Sequence, residues 1–222
     1  MINDIYLHLV PHYCERVGNS IFSEPINLLS NLAFFITVIL LYKEYKNIKK
    51  VNFEYWFILI TFLVVGIGSS LWHSLRSPLG FTLDSAPILI FLLSLFFIIL
   101  KELTTDYKKA IILTTFFLSL QFILAYLFSN FLNGSVLHIT SGVIFFSIII
   151  WIRKKYSRIL KNIVIGLLLY IFAIIFRSID NLVCPYFPLG THFMWHILNA
   201  GGAYFAVKGL FDLRSLSIKN SY

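Results

Sequence analysis

Seven stretches of mainly apolar residues dominate the hydropathy pattern of the chain: 25–42, 54–74, 83–100, 110–128, 132–152, 160–176 and 192–211. Each is close to the length of about 20 apolar residues that a helix needs to cross a lipid bilayer. The runs are continuous. That excludes an outer-membrane barrel, whose strands alternate apolar and polar positions over about 10 residues. Pro78 and Gly80, Asn130 and Gly134, and Pro185, Pro188 and Gly190 punctuate the connections. The pattern predicts an all-α membrane protein, a single domain over 1–222 built as a bundle of seven transmembrane helices. Its first 24 residues lack the apolar core of a signal peptide and read as a retained N-terminal segment.

Lysine and arginine orient the bundle. Lys43, Lys46, Lys49 and Lys50 fall in the first connection, Lys101, Lys108 and Lys109 in the third, and Arg153, Lys154, Lys155, Arg158 and Lys161 in the fifth. The tail adds Lys208, Arg214 and Lys219, whereas the opposite side carries Arg16, Arg76 and Arg177. The positive-inside rule then places the N-terminus outside and the C-terminus in the cytoplasm, which requires an odd number of spans. On this topology the two cysteines, Cys14 and Cys184, share the outer side. They are either a disulfide in an oxidising compartment or two unpaired small residues.

Composition agrees with lipid as the solvent. Of 222 residues, 59% are hydrophobic and 13% charged, and 23 are Phe; the mean hydropathy is +0.84. A soluble domain averages about 45–50% apolar and about 25% charged. The net charge of +8 sits in short runs between apolar blocks. It reads as topology signals and lipid-headgroup contacts, not as a nucleic-acid surface.

Polar residues within or beside the spans are costly and therefore informative. His192 and His196, four apart, share one helix face at the start of the seventh block. His73 lies 18 residues beyond Tyr55, roughly 27 Å of helical rise and nearly the full thickness of the hydrocarbon core. Asp84 opens the third block, and Ser69 lies one turn before His73. These five residues are expected in one membrane layer at the outer face. Three histidines with an open position form the ligand set of a catalytic zinc, which lowers the pKa of a bound water to about 7 and supplies a nucleophile for a carbonyl. Asp84 would orient that water and shuttle its proton, and Ser69 would donate to the oxyanion. The alternatives are a helix N-cap for Asp84, small-residue helix packing for Ser69 beside Gly66, Gly68 and Ser70, and histidines satisfied by water or headgroups. Glu15, Asn19, Glu24 and Asn27 form an oxygen-rich set suited to calcium, although spacing alone favours ordinary capping around Pro25. Arg177 and Asp180, three apart, are placed to pair locally. His138, His8 and His12 receive no chemical role.

At this point the residues resemble a known family. Tyr13-Cys14-Glu15-Arg16, Ser23-Glu24-Pro25-Ile26-Asn27, and Ser30-Asn31 through Phe35 resemble the N-terminal signature of the alkaline ceramidases and their bacterial relatives. Gly68-Ser69-Ser70-Leu71-Trp72-His73 followed by Leu83-Asp84-Ser85-Ala86-Pro87 resembles their second motif, and Gly190-Thr191-His192-Phe193-Met194-Trp195-His196 their third. The family belongs to a superfamily of seven-helix hydrolases that includes the progestin and adipoQ receptors. The resemblance implies zinc on His73, His192 and His196, and catalytic roles for Ser69 and Asp84. It further implies calcium on Glu15, Glu24 and the Tyr13 carbonyl, with Asn19 as a further ligand, and a Cys14–Cys184 disulfide. The implied reaction is hydrolysis of the amide of ceramide, or of a similar lipid amide, to a fatty acid and a sphingoid base. The chain departs from the family at Pro11 and His12, where an acidic residue is usual, and at Ser85, where an acid often follows the motif's Asp. Ile-, Lys- and Asn-rich usage fits an AT-rich bacterial genome, for which the membrane is the inner one and the active site faces its extracytoplasmic side.

The expected partner is a membrane lipid substrate entering between helices; no obligate protein partner is implied. A non-catalytic seven-helix receptor or structural protein with a zinc staple is the rival reading, but a structural site prefers a fourth protein ligand. A transporter would want charged groups near mid-membrane and broken helices, which the blocks lack.

Overall fold

The computed structural model describes residues 12–18, 20–46, 53–128, 131–154 and 156–219. Among these, helices α1 (Pro25–Ser30) and α2 (Leu32–Tyr45) run on as one span across Asn31. They are followed by α3 (Phe53–Leu75), α4 (Pro78–Thr104), α5 (Tyr107–Phe128), α6 (Val136–Ile152), α7 (Ser157–Val183) and α8 (His192–Lys219). From α2 onward each helix packs on the next, and α8 closes the ring on α2. The outer faces expose Ile112, Phe116, Phe122, Val143, Phe146 and Phe172, the inverse of a soluble surface. Trp72, Tyr55, Phe34, Phe62 and Phe117 fill the interior.

Five of these helices, 25–45, 53–75, 78–104, 107–128 and 160–183, are long and apolar enough to cross a membrane, which makes the chain a multi-pass membrane protein. The other two blocks fall short for different reasons. The fifth block loses its first turn: residues Phe131–Gly134 form a 3₁₀ turn in which Leu132 and Asn133 have positive φ, so α6 is an apolar helix of 17 residues. The seventh is long enough, but its histidines, Asn199 and small residues dilute its hydropathy.

Two of the boundaries that move matter for the site. α4 starts at Pro78, not at Leu83. Its N-cap is Ser77, whose hydroxyl accepts from the Gly80 N–H at 3.0 Å with Pro78 at the first helical position, a pre-organised start. Asp84 is therefore not an N-cap; it lies almost two turns inside the helix. α7 continues through Arg177 and Asp180 to Val183, because both side chains find partners on other segments.

α3 and α4 pack closely, as do α7 and α8. The α3–α4 contact depends on Gly68, where a built Cβ would lie 1.8 Å from the Leu83 carbonyl oxygen and 3.1 Å from the Asp84 nitrogen. At one end of the ring, ion pairs join Glu54 to Lys101, Glu44 to Lys208 and the buried Glu102 to Arg214, and Glu102 also accepts a hydrogen bond from the Tyr55 hydroxyl. The histidines occupy the other end.

The N-terminal segment is tied to that end by a disulfide, Cys14–Cys184, whose Cα atoms are 5.2 Å apart in space and 170 positions apart in sequence. Removing a cross-link over so long a loop destabilises a fold by about 2–5 kcal/mol. Cys184→Ser is accordingly expected to lower the unfolding temperature in detergent. Reduction of the wild type should reproduce the effect, and an unchanged transition would show that the segment is held by other contacts.

Candidate active site

The site is built where the start of α1, the ends of α3 and α7, and the starts of α4 and α8 meet. His73, His192 and His196 are each 1% exposed, and their ligand atoms lie within 4.8 Å of one another. Three buried nitrogens among them have no hydrogen-bond partner: His73 Nε2, His196 Nε2 and His192 Nδ1. Orphaned buried groups are rare and call for an explanation. The other nitrogens of two of these rings are engaged. His73 Nδ1 meets Glu24 Oε2 at 2.5 Å. A carboxylate only accepts, so Nδ1 carries the proton and Nε2 presents its lone pair. His196 Nδ1 meets Ser30 Oγ at 2.7 Å, and that hydroxyl donates to the Asn27 carbonyl at 2.7 Å. Ser30 therefore accepts from Nδ1–H, and Nε2 is again left with its lone pair. A carboxylate or hydroxyl behind the distal nitrogen is the usual support of a metal-ligating histidine. By this test the three residues fit a metal ion, which they can hold together.

Ser69 is 2% exposed, and its hydroxyl is hydrogen-bonded to the half-buried Asp84 carboxyl, which is in electrostatic reach of His73. The close approach at Gly68 brings this pair together across α3 and α4.

The carboxylates of the oxygen-rich N-terminal cluster are used internally, and the calcium expectation finds no support. Both Glu15 oxygens accept from the first turn of α1, from Ile26 N at 2.6 Å and Asn27 N at 2.8 Å. Burial pushes the Glu15 carboxyl above its ordinary range despite those bonds. Glu24 takes Arg16 at 2.9 Å and Arg76 at 3.4 Å on one oxygen, and His73 and Asn27 on the other. Burial pushes its carboxyl up as well, but His73, Arg76 and Arg16 outweigh burial and hold it below the usual carboxylate range. The Tyr13 carbonyl accepts from the Arg16 N–H. A carboxylate shared by two guanidinium groups is a poor hard-cation ligand. Asn19, like His8, lies outside the described residues.

Arg177 and Asp180 do not serve each other, contrary to their spacing. Arg177 Nη1 donates to the Tyr13 hydroxyl at 3.1 Å, and its guanidinium lies over Trp195. Burial pushes the Tyr13 phenol up, against the pull of Arg177, and its ring stacks on His192 with centroids 3.7 Å apart. Asp180 is fully buried. It accepts from Thr191 N at 2.6 Å, His192 N at 2.9 Å and Cys14 N at 3.0 Å, and so caps α8 from another helix. Gly190 has a φ of +65°, and a Cβ there would fall 2.2 Å from Asp180 Oδ1, so both the turn and the cap require glycine. His138 meets Tyr170 and Trp195, and His12 is exposed. Sequence reasoning gave no role to Ser30 and read Asp180 only as a local partner of Arg177; neither true role has a local signal, since each acts on a residue more than ten positions away.

Fold and site together define a class: an all-helical, multi-pass membrane protein with a buried histidine group able to hold a metal. The chain belongs to the ceramidase family, whose sequence profile matches residues 12–221. The family is one of hydrolases that cleave the amide bond of ceramide. No curated protein matches the chain.

Proposed function

We propose that this chain is a zinc-dependent amidase that cleaves ceramide, or a similar lipid amide, to a fatty acid and a sphingoid base. It would work as one seven-span domain of the inner membrane, N-terminus outside, with the site on the extracytoplasmic side. The observation that carries this reading is the convergence of three unpartnered imidazole nitrogens beside a Ser–Asp pair. Zinc on His73, His192 and His196 supplies a water activated near neutral pH and a Lewis acid for the carbonyl.

The protein's own residues do the rest. Asp84 takes a proton from the attacking water as its oxygen adds to the carbonyl carbon. It then returns that proton to the amide nitrogen as the carbon–nitrogen bond breaks. Ser69 fixes the Asp84 carboxylate in place. Once Asp84 is protonated, the Ser69 hydroxyl is released to donate to the carbonyl oxygen. Glu24 and Ser30 hold two imidazoles in the ligating tautomer. The arginines on Glu24 balance its buried charge.

The test pairs zinc analysis with fatty-acid release from ceramide. Asp84→Asn should keep about one zinc per chain and lose about 10²- to 10⁴-fold in rate. Zinc without hydrolysis by the wild type would instead support a receptor or structural protein with a zinc staple. Undiminished activity of Asp84→Asn would remove Asp84 from the mechanism.

A further inference from the structure

Below the histidines the ring encloses a recess between α4, α6, α7 and α8, walled by Phe91, Leu95, Phe145 and Leu167 and by small residues of α8. Two side chains in this wall carry hydrogen-bonding atoms, Tyr170 and Asn199. Tyr170 is engaged: its hydroxyl reaches His138 Nδ1 at 3.4 Å and bonds to the Ser141 side chain. Asn199 differs. It is half-buried, and no hydrogen bond joins its carboxamide to another side chain or to the backbone among the described residues. Its position relates it to the site, since three residues after His196 is about 4.5 Å further along α8 on nearly the same face. A polar side chain inside the membrane layer is costly and marks a functional contact by default. In an otherwise apolar pocket, a lone polar group fixes the orientation of what binds there.

We propose that Asn199 is a specificity-determining residue for the amidase reaction, receiving a hydroxyl on the substrate chain next to the scissile amide. A carboxamide both donates and accepts, as a hydroxyl does, so the two can satisfy each other. A bare alkyl chain would leave the carboxamide unpaired in an apolar wall. The depth fits: with the amide at the histidines, the next functional group along a chain entering the recess meets Asn199 one turn below. Ceramide carries hydroxyls on C1 and C3, both next to the carbon that bears the amide nitrogen, and the one on the long chain that enters the recess is that on C3; a 2-hydroxylated acyl chain offers the same chemistry from the other side. The inference rests on the amidase reading of the site.

Two readouts test it. The first is kcat/KM for fatty-acid release from three substrates: ceramide, 3-deoxyceramide, and 3-deoxyceramide with a 2-hydroxyacyl chain. Each is measured with wild type, Asn199→Leu and Asn199→Thr. The second is the shift in unfolding temperature given by sphingosine against 3-deoxysphingosine, and by a 2-hydroxy fatty acid against its unsubstituted counterpart. The wild type should favour a hydroxylated substrate by about 10- to 100-fold. Asn199→Leu should erase that preference by slowing only the hydroxylated substrate, and Asn199→Thr should keep part of it. Which substrate shows the Asn199-dependent preference names the chain that carries the hydroxyl. Equal slowing of all three substrates by Asn199→Leu would reveal a merely structural residue and overturn the proposal, as would the absence of discrimination in both readouts. An inactive wild type that still discriminates ligands through Asn199 in the thermal readout would uphold this inference while counting against the amidase reading.

Discussion

His196→Ala is expected to abolish metal binding and hydrolysis together, taking zinc from about one per chain to near none. The argument is geometric. Nε2 of His196 is one of three converging unpartnered nitrogens, and α8 supplies two of the three rings. Two imidazoles alone do not hold zinc in a buried site, because structural and catalytic sites alike use at least three protein ligands. The change also leaves Ser30 without its imidazole partner. Ser30→Ala should be the gentler variant, costing about 10- to 100-fold in zinc affinity, as loss of a supporting partner does. Elemental analysis of both variants, with fatty-acid release alongside, decides the matter. Retention of a full zinc complement by His196→Ala would mean that the histidines are packed for another reason.

Gly68→Ala should be nearly as damaging, although the residue touches no substrate. The added methyl carbon would sit 1.8 Å from the carbonyl oxygen of Leu83 and 2.5 Å from its carbonyl carbon. Backbone atoms inside a helix cannot rotate aside as a side-chain tip can, so α3 and α4 must part. Ser69 follows Gly68 on one helix, and Asp84 follows Leu83 on the other, so their separation takes up the displacement. Misplacing reacting groups by about 1 Å costs on the order of 10²-fold in rate, and a loss of at least that size is expected here, with a lowered unfolding temperature. Gly201→Ala is the control. Its methyl would meet Leu169 Cδ1 at 3.4 Å, an ordinary contact with a flexible side chain, and it should remain close to wild type in both assays. If Gly68→Ala matched that control in rate, the close crossing would not position the Ser–Asp pair.

Much of this was legible in the sequence because lipid imposes simple rules. Long apolar runs mark helices whatever their partners, and the order of the blocks is the order of α2 to α8. The ends were harder to read. Ser77-Pro78 starts α4 a turn and a half before the apolar run begins, since capping chemistry and hydropathy need not coincide. Arg177 and Asp180 looked like the close of a span, yet each is hydrogen-bonded to a distant partner, which lets α7 continue. At the site, the spacing of His192 and His196 and the depth of His73 were readable as one layer. The parts that prepare those rings were not. Glu24 reaches His73 across 49 residues, and Ser30 reaches His196 across 166. Such pairings are set by how helices are arranged around the ring, and hydropathy is silent about that arrangement. The same long reach explains why Glu15 and Glu24 resembled cation ligands: their partners are backbone N–H groups and arginines that no local spacing displays.

The disulfide and the histidines also set an order of events in the making of the protein. The cross-link joins Cys14 to a residue 170 positions later, and two of the three imidazoles arrive with α8, the last helix among the described residues. Cys14 lacks its partner until Cys184 is made, and until the ribosome has delivered α8 the chain holds a single imidazole of the set. A metal held by all three rings could therefore be taken up only after α8 is in place. A chain stalled before Thr191 can already close the Cys14–Cys184 cross-link while holding one imidazole of the three, so the disulfide forms ahead of the complete histidine set and does not report it.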